Sequence, residues 1–412
     1  MADAPAHWDQ ILSRKVRVVD DAVIVGYART PIGWLLGGLA PMTAAQLGGV
    51  AIAAALARAG VPADRVDQVL VGHVVQAGQG QITARQAAVA GGIGMDVPAT
   101  TINKVCLSGS SAVALAAQQI RLGQADVVVA GGMESMSNGP YLLPRGRTGY
   151  RMGDGTLVDA TVHDGLWCAF AAEHMGAGSD RMNAELGIDR VLQDLWAARS
   201  HDRAAAAWKD GRFDDEVVEV AVAQRRGEPV AVATDEGVRA DTTVERLASL
   251  RPAFSADGTI TAGNASQVSD GAAALVLTSA AVASELDLSI LGRVLAYGTV
   301  AGPDTSLHHQ PAAAIRRAAA RIGADPAGFD VYEINEAFAA VALHAADLLG
   351  VDDDRVNPNG GAVALGHPIG CTGARLVGTT LLELRRRGGG RGAAALCGGG
   401  GQGDALLLEV AA

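Results

Sequence analysis

The first and last thirds of the chain pass through the same succession of patterns. PADRVDQVLVGHVV at 62–75 is echoed by DPAGFDVYEINEAF at 325–338; CLSGSSAVALAAQQIRLG, from residue 106, by HPIGCTGARLVGTTLLEL at 367–384; and QADVVVAGG by RGAAALCGGGG. This repeat constrains the fold more than any single motif, because each copy is one supersecondary unit that needs a neighbour to close its core. Two half-domains related by approximate twofold symmetry then bring two helix N-termini toward a shared centre. In this alignment Cys106 stands opposite His367 and Gly109 opposite Gly370.

Strand and helix patterns alternate along the chain. Residues 21–30 read as a strand, 43–60 as a helix closed by Gly60, 66–75 as a strand, 108–123 as a helix ending in Gly, and 125–132 as a buried strand. The βαβα order predicts an α/β fold with a mostly parallel sheet covered by helices on both faces. Only 4% of residues are aromatic while glycines number 53, so the core is built from Ala, Val and Leu with close backbone approaches, unlike an aromatic-rich sandwich. From about 137 the texture turns to Pro, Gly, Arg and Asp around a helical pattern at 193–213, and regular alternation resumes near 269–283. An inserted, looser domain is expected there. By length, 412 residues allow two or three domain-sized units.

A net charge of -11 argues against nucleic acid or an anionic membrane as partner, since both need a positive field; local arginines still allow a small anionic ligand. The four cysteines, at 106, 168, 371 and 397, form no CxxC pair and no zinc spacing, so no metal is expected and a reduced, cytoplasmic setting is the simplest. The N-terminal MADAPAHWDQILSRKVRVVDD carries early acids and no apolar run of signal-peptide type, and no stretch approaches the length of a membrane helix.

Cys106 lies where a helix begins, and a helix N-terminus stabilises a thiolate through its free N–H groups and dipole; a small core hydrophobe is the competing reading. In GGAVALGHPIGCTGAR, at 360–375, His367 sits at a helix start among glycines, suited to taking a thiol proton or holding an oxyanion. LCGGGGQG, at 396–403, ends a buried strand with Cys397 and opens a loop rich in backbone N–H groups, suited to an oxyanion hole or simply to a tight turn. Asn335 and Glu336 close an apolar strand, where they either satisfy each other or orient a water.

NKVCLSGSSAVA, GGMESMS, GYRMGDGTLVDATVHDGL, HMG, LRPAF, TAGNASQVSDGAAA, INEAFAA, NGGAVALGHPIGCTGAR and LCGGGGQG occur in the order found in the thiolase family, which the chain resembles from about 22 to 410, most closely on its biosynthetic, acetyl-CoA acetyltransferase side. The resemblance implies a thiolase fold: duplicated mixed-sheet halves in a five-layered αβαβα core, with an inserted loop domain. It implies an N-terminal half over 1–136 completed by 269–289, a CoA-binding and tetramer-forming loop domain over 137–268, and a C-terminal half over 290–412. It further implies that two acetyl-CoA condense reversibly to acetoacetyl-CoA and CoA, with CoA thioesters as substrates and no cofactor, in a homotetramer.

By the same resemblance Cys106 is the nucleophile that takes the acyl group, His367 its base, and Cys397 the second thiol that removes or returns a C2 proton. The N–H groups of Cys106 and Gly399 form one oxyanion hole; Asn335, through a water, and His367 form the other. His174 and Ser266 are implied to contact the pantetheine chain and Arg239 the adenine nucleotide, with Met175, Leu307 and Phe338 beside the substrate. Forming a carbon–carbon bond from a weakly acidic thioester needs two stabilised oxyanions and two proton-transfer groups, which this set supplies.

Departures from the family pattern concern specificity. LHHQP at 307–311 puts Leu307 where a Met commonly lines the acyl pocket, and His308 and His309 beside it either alter substrate choice or form a polar loop at the cleft rim. Arg246 replaces a common Ser, and Leu107 and Cys371 are less usual neighbours of the catalytic positions. A 3-ketoacyl-CoA thiolase acting on longer chains is the alternative activity, and an inactive acyl-CoA-binding member the alternative of another class. The latter is expected to lack a catalytic residue, and none is missing.

Overall fold

The computed structural model describes residues 21–412; the reading of residues 1–20 as no secretory signal lies outside the described residues. The long strands are β1 (Ala22–Arg29), β2 (Gln68–Gly72), β3 (Ala99–Ile102), β4 (Val127–Ser135), β5 (Ser269–Ser279), β6 (Gly292–Ala301), β7 (Val331–Ile334), β8 (Gly390–Gly398) and β9 (Gln402–Val410). They hydrogen-bond in the order β7-β8-β9-β6-β1-β5-β4-β2-β3. The two halves join where β1 runs antiparallel to β6, through Val23 opposite Arg293 and Ile24 opposite Gly292.

The duplication is visible in the pairings. In one half β2 is parallel to β3 and β4; in the other β7 is parallel to β8 and makes a single parallel bridge, Tyr332 to Val356, at the place of a β3 counterpart. The remaining pairs, β4 with β5, β5 with β1, β8 with β9 and β9 with β6, are antiparallel. The sheet is therefore mixed, and the expectation of a mostly parallel one is corrected. Continuous apolar runs show that a strand is buried on both faces, but they carry no sign of its direction. β5 returns only after the insertion, and β9 follows β8 through a tight glycine turn.

The longer helices are α1 (Ala44–Ala59), α2 (Thr83–Ala90), α3 (Ser108–Arg121), α4 (Met175–Leu186), α5 (Arg190–Lys209), α6 (Gln310–Arg321), α7 (Ala339–Leu349) and α8 (Thr372–Arg386). α1 keeps the expected bounds because Thr43 and Gln46 form a capping box and Gly60 closes it at φ 67°. α5 starts earlier than its apolar pattern suggests, because the Asp189 carboxylate accepts the Leu192 N–H at 2.9 Å.

Layering follows the two-residue period of the strands. On β1, Ala22 and Ile24 face a core shared with α3 and α8, whereas Val23 and Val25 face one shared with α1 and α2. On β9, Leu406 and Leu408 face the α3–α8 core and Leu407 the one under α6 and α7. The order is helices, sheet, helices, sheet, helices, and α3 and α8 form the middle layer.

Between Ser135 and Ser269 the chain leaves the sheet to form α4, α5 and short two-stranded pairs. Buried charge pins this segment to β1: Arg29 donates to Glu216 at 2.6 Å and to both oxygens of Asp235 at 2.6 and 2.9 Å. Removing one member would leave an uncompensated buried charge, a loss of about 3–5 kcal/mol.

Candidate active site

Helices α3 and α8 meet at their first turns, and glycine permits the approach. A Cβ on Gly109 would lie 2.8 Å from the Ala374 nitrogen, and one on Gly373 would lie 2.3 Å from the Ser110 nitrogen. These contacts are reciprocal, so the twofold pairs Gly109 with Gly373. The alignment of Gly109 with Gly370 and of Cys106 with His367 is thus out of step, and the counterpart of Cys106 at the head of α8 is Gly370. The cause is a turn ahead of α8, where the N–H groups of Cys371 and Thr372 both return to the Pro368 carbonyl, at 2.9 and 3.0 Å. His367 lies before that turn and not at the helix start.

Cys106 is carried on a tight turn just before α3. Leu107 N–H donates to the Lys104 carbonyl at 3.1 Å and Ser108 N–H to that of Val105 at 3.0 Å. Val105, although β-branched, has φ 50°, a conformation that costs about 1–3 kcal/mol and persists only where the surroundings enforce it. The end of β8 and the loop after it pack against this turn: a Cβ on Gly398 would be 2.6 Å from Leu107 Cγ, and one on Gly399 3.5 Å from Val105 Cγ1.

The N–H groups of Gly399 and of Cys106 itself both hydrogen-bond the Cys106 sulfur. They oppose burial without overcoming it, and the thiol is pushed up to about 12. The expected thiolate is therefore absent at rest. Cys397, buried at the end of β8, is raised first by burial and then by the neighbouring Cys106.

His367 is held as a defined tautomer. The Thr372 hydroxyl donates to the Pro368 carbonyl at 3.0 Å, so its contact of 2.7 Å with His367 Nδ1 is as acceptor, and Nδ1 carries the proton. Nε2 is left with a lone pair, 3.4 Å from Asn335 Nδ2. Burial, then Arg375, lowers this imidazole to about 3, so it is neutral at physiological pH. Thr372 was not singled out in the sequence; the signal was a hydroxyl following the His-Pro turn, within reach of the ring.

Asn335 and Glu336 divide their work. Glu336 accepts from Trp196 Nε1 at 2.9 Å, Ser200 Oγ at 2.7 Å, Asn357 Nδ2 at 2.9 Å and the Val363 N–H at 3.0 Å, tying α5 to the end of β7. Asn335 turns the other way, and its buried Oδ1 has no protein partner.

One cavity of about 280 Å³ collects Cys106, His367, Cys397 and Gly399 with His174, Met175, Ser266, Leu307 and Phe338. Asn335 reaches it through His367. His174 caps α4, its Nδ1 accepting the Gly176 N–H at 3.1 Å, and stacks on Phe254 at 4.6 Å. The Ser266 hydroxyl donates to the Ala337 carbonyl at 3.0 Å, which fixes the end of the insertion beside Phe338. Arg239 is exposed and does not line the cavity; its backbone N–H donates to His201 Nδ1 at 3.2 Å. Leu307 faces the cavity, whereas neither neighbouring histidine does. His308 is buried and bonded to Asn183 Oδ1 at 2.8 Å, and His309 contacts His344 at 3.2 Å.

The twofold also creates a mirror of this chamber. The repeat sets Gly72 against Asn335 and, through the registers of Val71 with Gly131 and Ile334 with Ala395, Met133 against Cys397. There the Gly370 N–H, counterpart of the Cys106 N–H, donates to the buried Glu134 carboxylate at 3.0 Å, alongside Val74 and Val75 N–H at 3.1 Å each.

Two thiols and an unprotonated imidazole around one apolar cavity equip a thioester acyltransferase. Residues 22–281 match the thiolase N-terminal domain and residues 288–410 the thiolase C-terminal domain, and the chain belongs to the thiolase family. It is 56% identical over 386 residues to a probable acetyl-CoA acetyltransferase of Mycolicibacterium smegmatis, covering 94% of this chain and 100% of that one. It is 48% identical over 390 residues to the acetyl-CoA acetyltransferase of Pseudomonas aeruginosa, covering 95% and 99%. The crystal structure of the Bacillus anthracis acetyl-CoA acetyltransferase superposes with a TM-score of 0.93 at 41% identity, covering 95% of this chain and 99% of that one.

Proposed function

We propose that the chain catalyses the reversible condensation of two acetyl-CoA to acetoacetyl-CoA and CoA, through an acetyl group held on Cys106. The observation that carries this reading is the convergence of Cys106, Cys397 and the open Nε2 of His367 on one small cavity. Its volume, about 280 Å³, is on the order of a small-molecule site.

The chemistry follows from the protonation states. Cys106 is a neutral thiol and His367 a neutral base, so the thiol proton passes to Nε2 as sulfur attacks the thioester carbonyl, not before. The N–H groups of Cys106 and Gly399, already directed at the sulfur, receive the oxyanion that forms beside it. CoA leaves with the proton of the Cys397 thiol, so Nε2 stays protonated and Cys397 is left as a thiolate. That thiolate takes a C2 proton from a second acetyl-CoA, and the resulting enolate attacks the acetyl carbon, releasing the Cys106 sulfur, which recovers its proton from Nε2. During that step protonated Nε2 and a water on Asn335 Oδ1 hold the enolate oxygen; the unpartnered buried Oδ1 supports this role.

His174, Ser266, Met175, Leu307 and Phe338 are assigned to the pantetheine and acyl end of CoA, and Arg239, outside the cavity, to the nucleotide end. No metal or organic cofactor is invoked. Residues 137–268 act as the CoA-binding and tetramer-forming unit; Met152, 98% exposed, Tyr141 and Leu157 give this loop the exposed apolar surface an assembly would cover. The acidic composition and free cysteines favour a cytoplasmic setting.

Cys397→Ser tests the division of labour: acetyl-Cys106 still forms on mixing with acetyl-CoA, while condensation collapses. Retained condensation would sink the assignment. Thiolysis rates across 3-ketoacyl-CoA substrates of increasing length test the acyl class; preference for C6 or longer would favour the long-chain alternative.

A further inference from the structure

Lys104 lies two residues before the nucleophile, yet every side chain its ammonium reaches belongs to the other half of the molecule. Nζ donates to Asp404 Oδ1 at 2.8 Å and Thr299 Oγ1 at 2.9 Å, with Tyr297 Oη at 3.4 Å. Asp404 is fully buried, and its second oxygen accepts from Ser111 Oγ at 3.0 Å, with Ser110 Oγ, whose shorter bond of 2.8 Å goes to the Leu107 carbonyl, 3.2 Å away. A single carboxylate thus holds the turn that carries Cys106 from both ends: Lys104 on the entering side, the first turn of α3 on the leaving side.

The same carboxylate is tied to the second thiol. In the β8–β9 ladder Asp404 stands opposite Leu396 and its neighbour Gly403 stands opposite Cys397. The turn bearing Cys106 and the strand end bearing Cys397 therefore share one anchor, beside the contact of Leu107 and Gly398. Left-handed Val105 lies within the clamped segment and would relax once released. The Lys104 charge is engaged by Asp404 and is not among the groups acting on the Cys106 sulfur, so its influence is geometric.

We propose that the Lys104–Asp404 ion pair is a positioning device that sets the Cys106 turn against Gly399 N–H and Cys397, making Lys104 and Asp404 positioning residues for acyl transfer. The inference rests on the reading of Cys106 as acyl acceptor and Cys397 as second thiol.

The test uses full-length Lys104→Met, Lys104→Arg and the double variant Lys104→Met with Asp404→Asn, each followed by thiolysis kinetics and thermal melting. Misplacement of a reacting group by about 1 Å costs about 10²-fold in rate, so Lys104→Met is expected to lower kcat on that scale with KM within about threefold. Lys104→Arg, which keeps the ion pair, restores kcat to within about tenfold. The double variant removes the stranded carboxylate charge and regains melting temperature while kcat stays low. A Lys104→Met enzyme with near-normal kcat, a rise in KM alone, or recovery of kcat together with stability in the double variant overturns the proposal. Mass spectrometry of the wild-type enzyme after acetyl-CoA reports the underlying assignment separately. Absence of acetyl on Cys106 defeats that assignment and this one with it, whereas its presence beside an unaffected Lys104→Met enzyme defeats the clamp alone.

Discussion

Replacing Gly373 by alanine adds one methyl group where α3 and α8 meet, and its effect on stability can be given a sign. In a helix, alanine is intrinsically better than glycine by about 1 kcal/mol, so a tolerant site would make the variant more stable. The new Cβ, however, would lie 2.3 Å from the Ser110 nitrogen and 2.9 Å from Ser110 Cβ, against backbone that cannot rotate aside. Overpacking of this kind costs about 1–3 kcal/mol, enough to reverse the propensity gain. The two helix starts must separate, and Cys106 moves with α3 while His367 moves with α8. About 1 Å of separation is enough for a rate loss of about 10²-fold. The assay pairs thermal melting with thiolysis kinetics, and Gly109→Ala, whose nearest contact is 2.8 Å, should be the milder member of the pair. Gly399→Ala, with nothing nearer than 3.5 Å, serves as the packing comparison for stability alone. A Gly373→Ala enzyme that melts higher than wild type and turns over normally would refute the crossing argument.

Burial holds His367 and His308 at about 3 and His201 at about 4, below the ordinary 6.5. Unfolded, each takes up a proton near 6.5, so the stabilisation is complete above that pH and is lost as pH falls from about 6.5 toward 4, by about 1.4 kcal/mol per pH unit for each histidine. Glu333, raised to about 8 chiefly by burial, works in the opposite sense, its stabilisation declining as pH rises from about 4.5 toward 8. With three histidines against one carboxyl, melting temperature should still drop below about pH 6, with His308→Gln reducing the slope by one proton; equal melting at pH 5 and 7 contradicts this. Among the four cysteines, Cys106 alone is partly exposed, so brief alkylation mapped by peptide mass should label it first, and acetyl-CoA should protect it. First labelling at Cys168, Cys371 or Cys397 would contradict the cavity geometry.

Much of this site was legible before any coordinates. The repeat predicted the paired helix starts, and nine of the eleven named residues, from Cys106 to Phe338, line one cavity. Strand direction was not legible, because Val and Ala runs look alike in parallel and antiparallel neighbours. Nor was the offset between the halves, since the turn at Pro368 lengthens one copy without disturbing its glycine pattern. Thr372, Asp404 and Glu134 were missed for a shared reason: each acts on a residue distant in sequence or through a fold-back of the chain, and hydroxyls and carboxylates are common enough that only proximity reveals their partners. The two histidines after Leu307 invited a reading at the cleft, yet His308 is buried against Asn183. Proximity in sequence to a pocket residue says little about which way the next side chain turns.

The filled mirror chamber has a consequence of its own. A duplicated frame offers two equivalent seats for the reaction, and in this molecule one of them is blank: Gly370, Gly72 and Met133 stand where the other has Cys106, Asn335 and Cys397, and the Glu134 carboxylate accepts from the main-chain donors there. Yet Glu134 grips Gly370, three residues beyond His367, so the blank seat braces the loop that serves the working one. Symmetry contributes the frame, and the chemistry comes from breaking it at a handful of side chains. The retired half is thereby the foundation on which the active half stands.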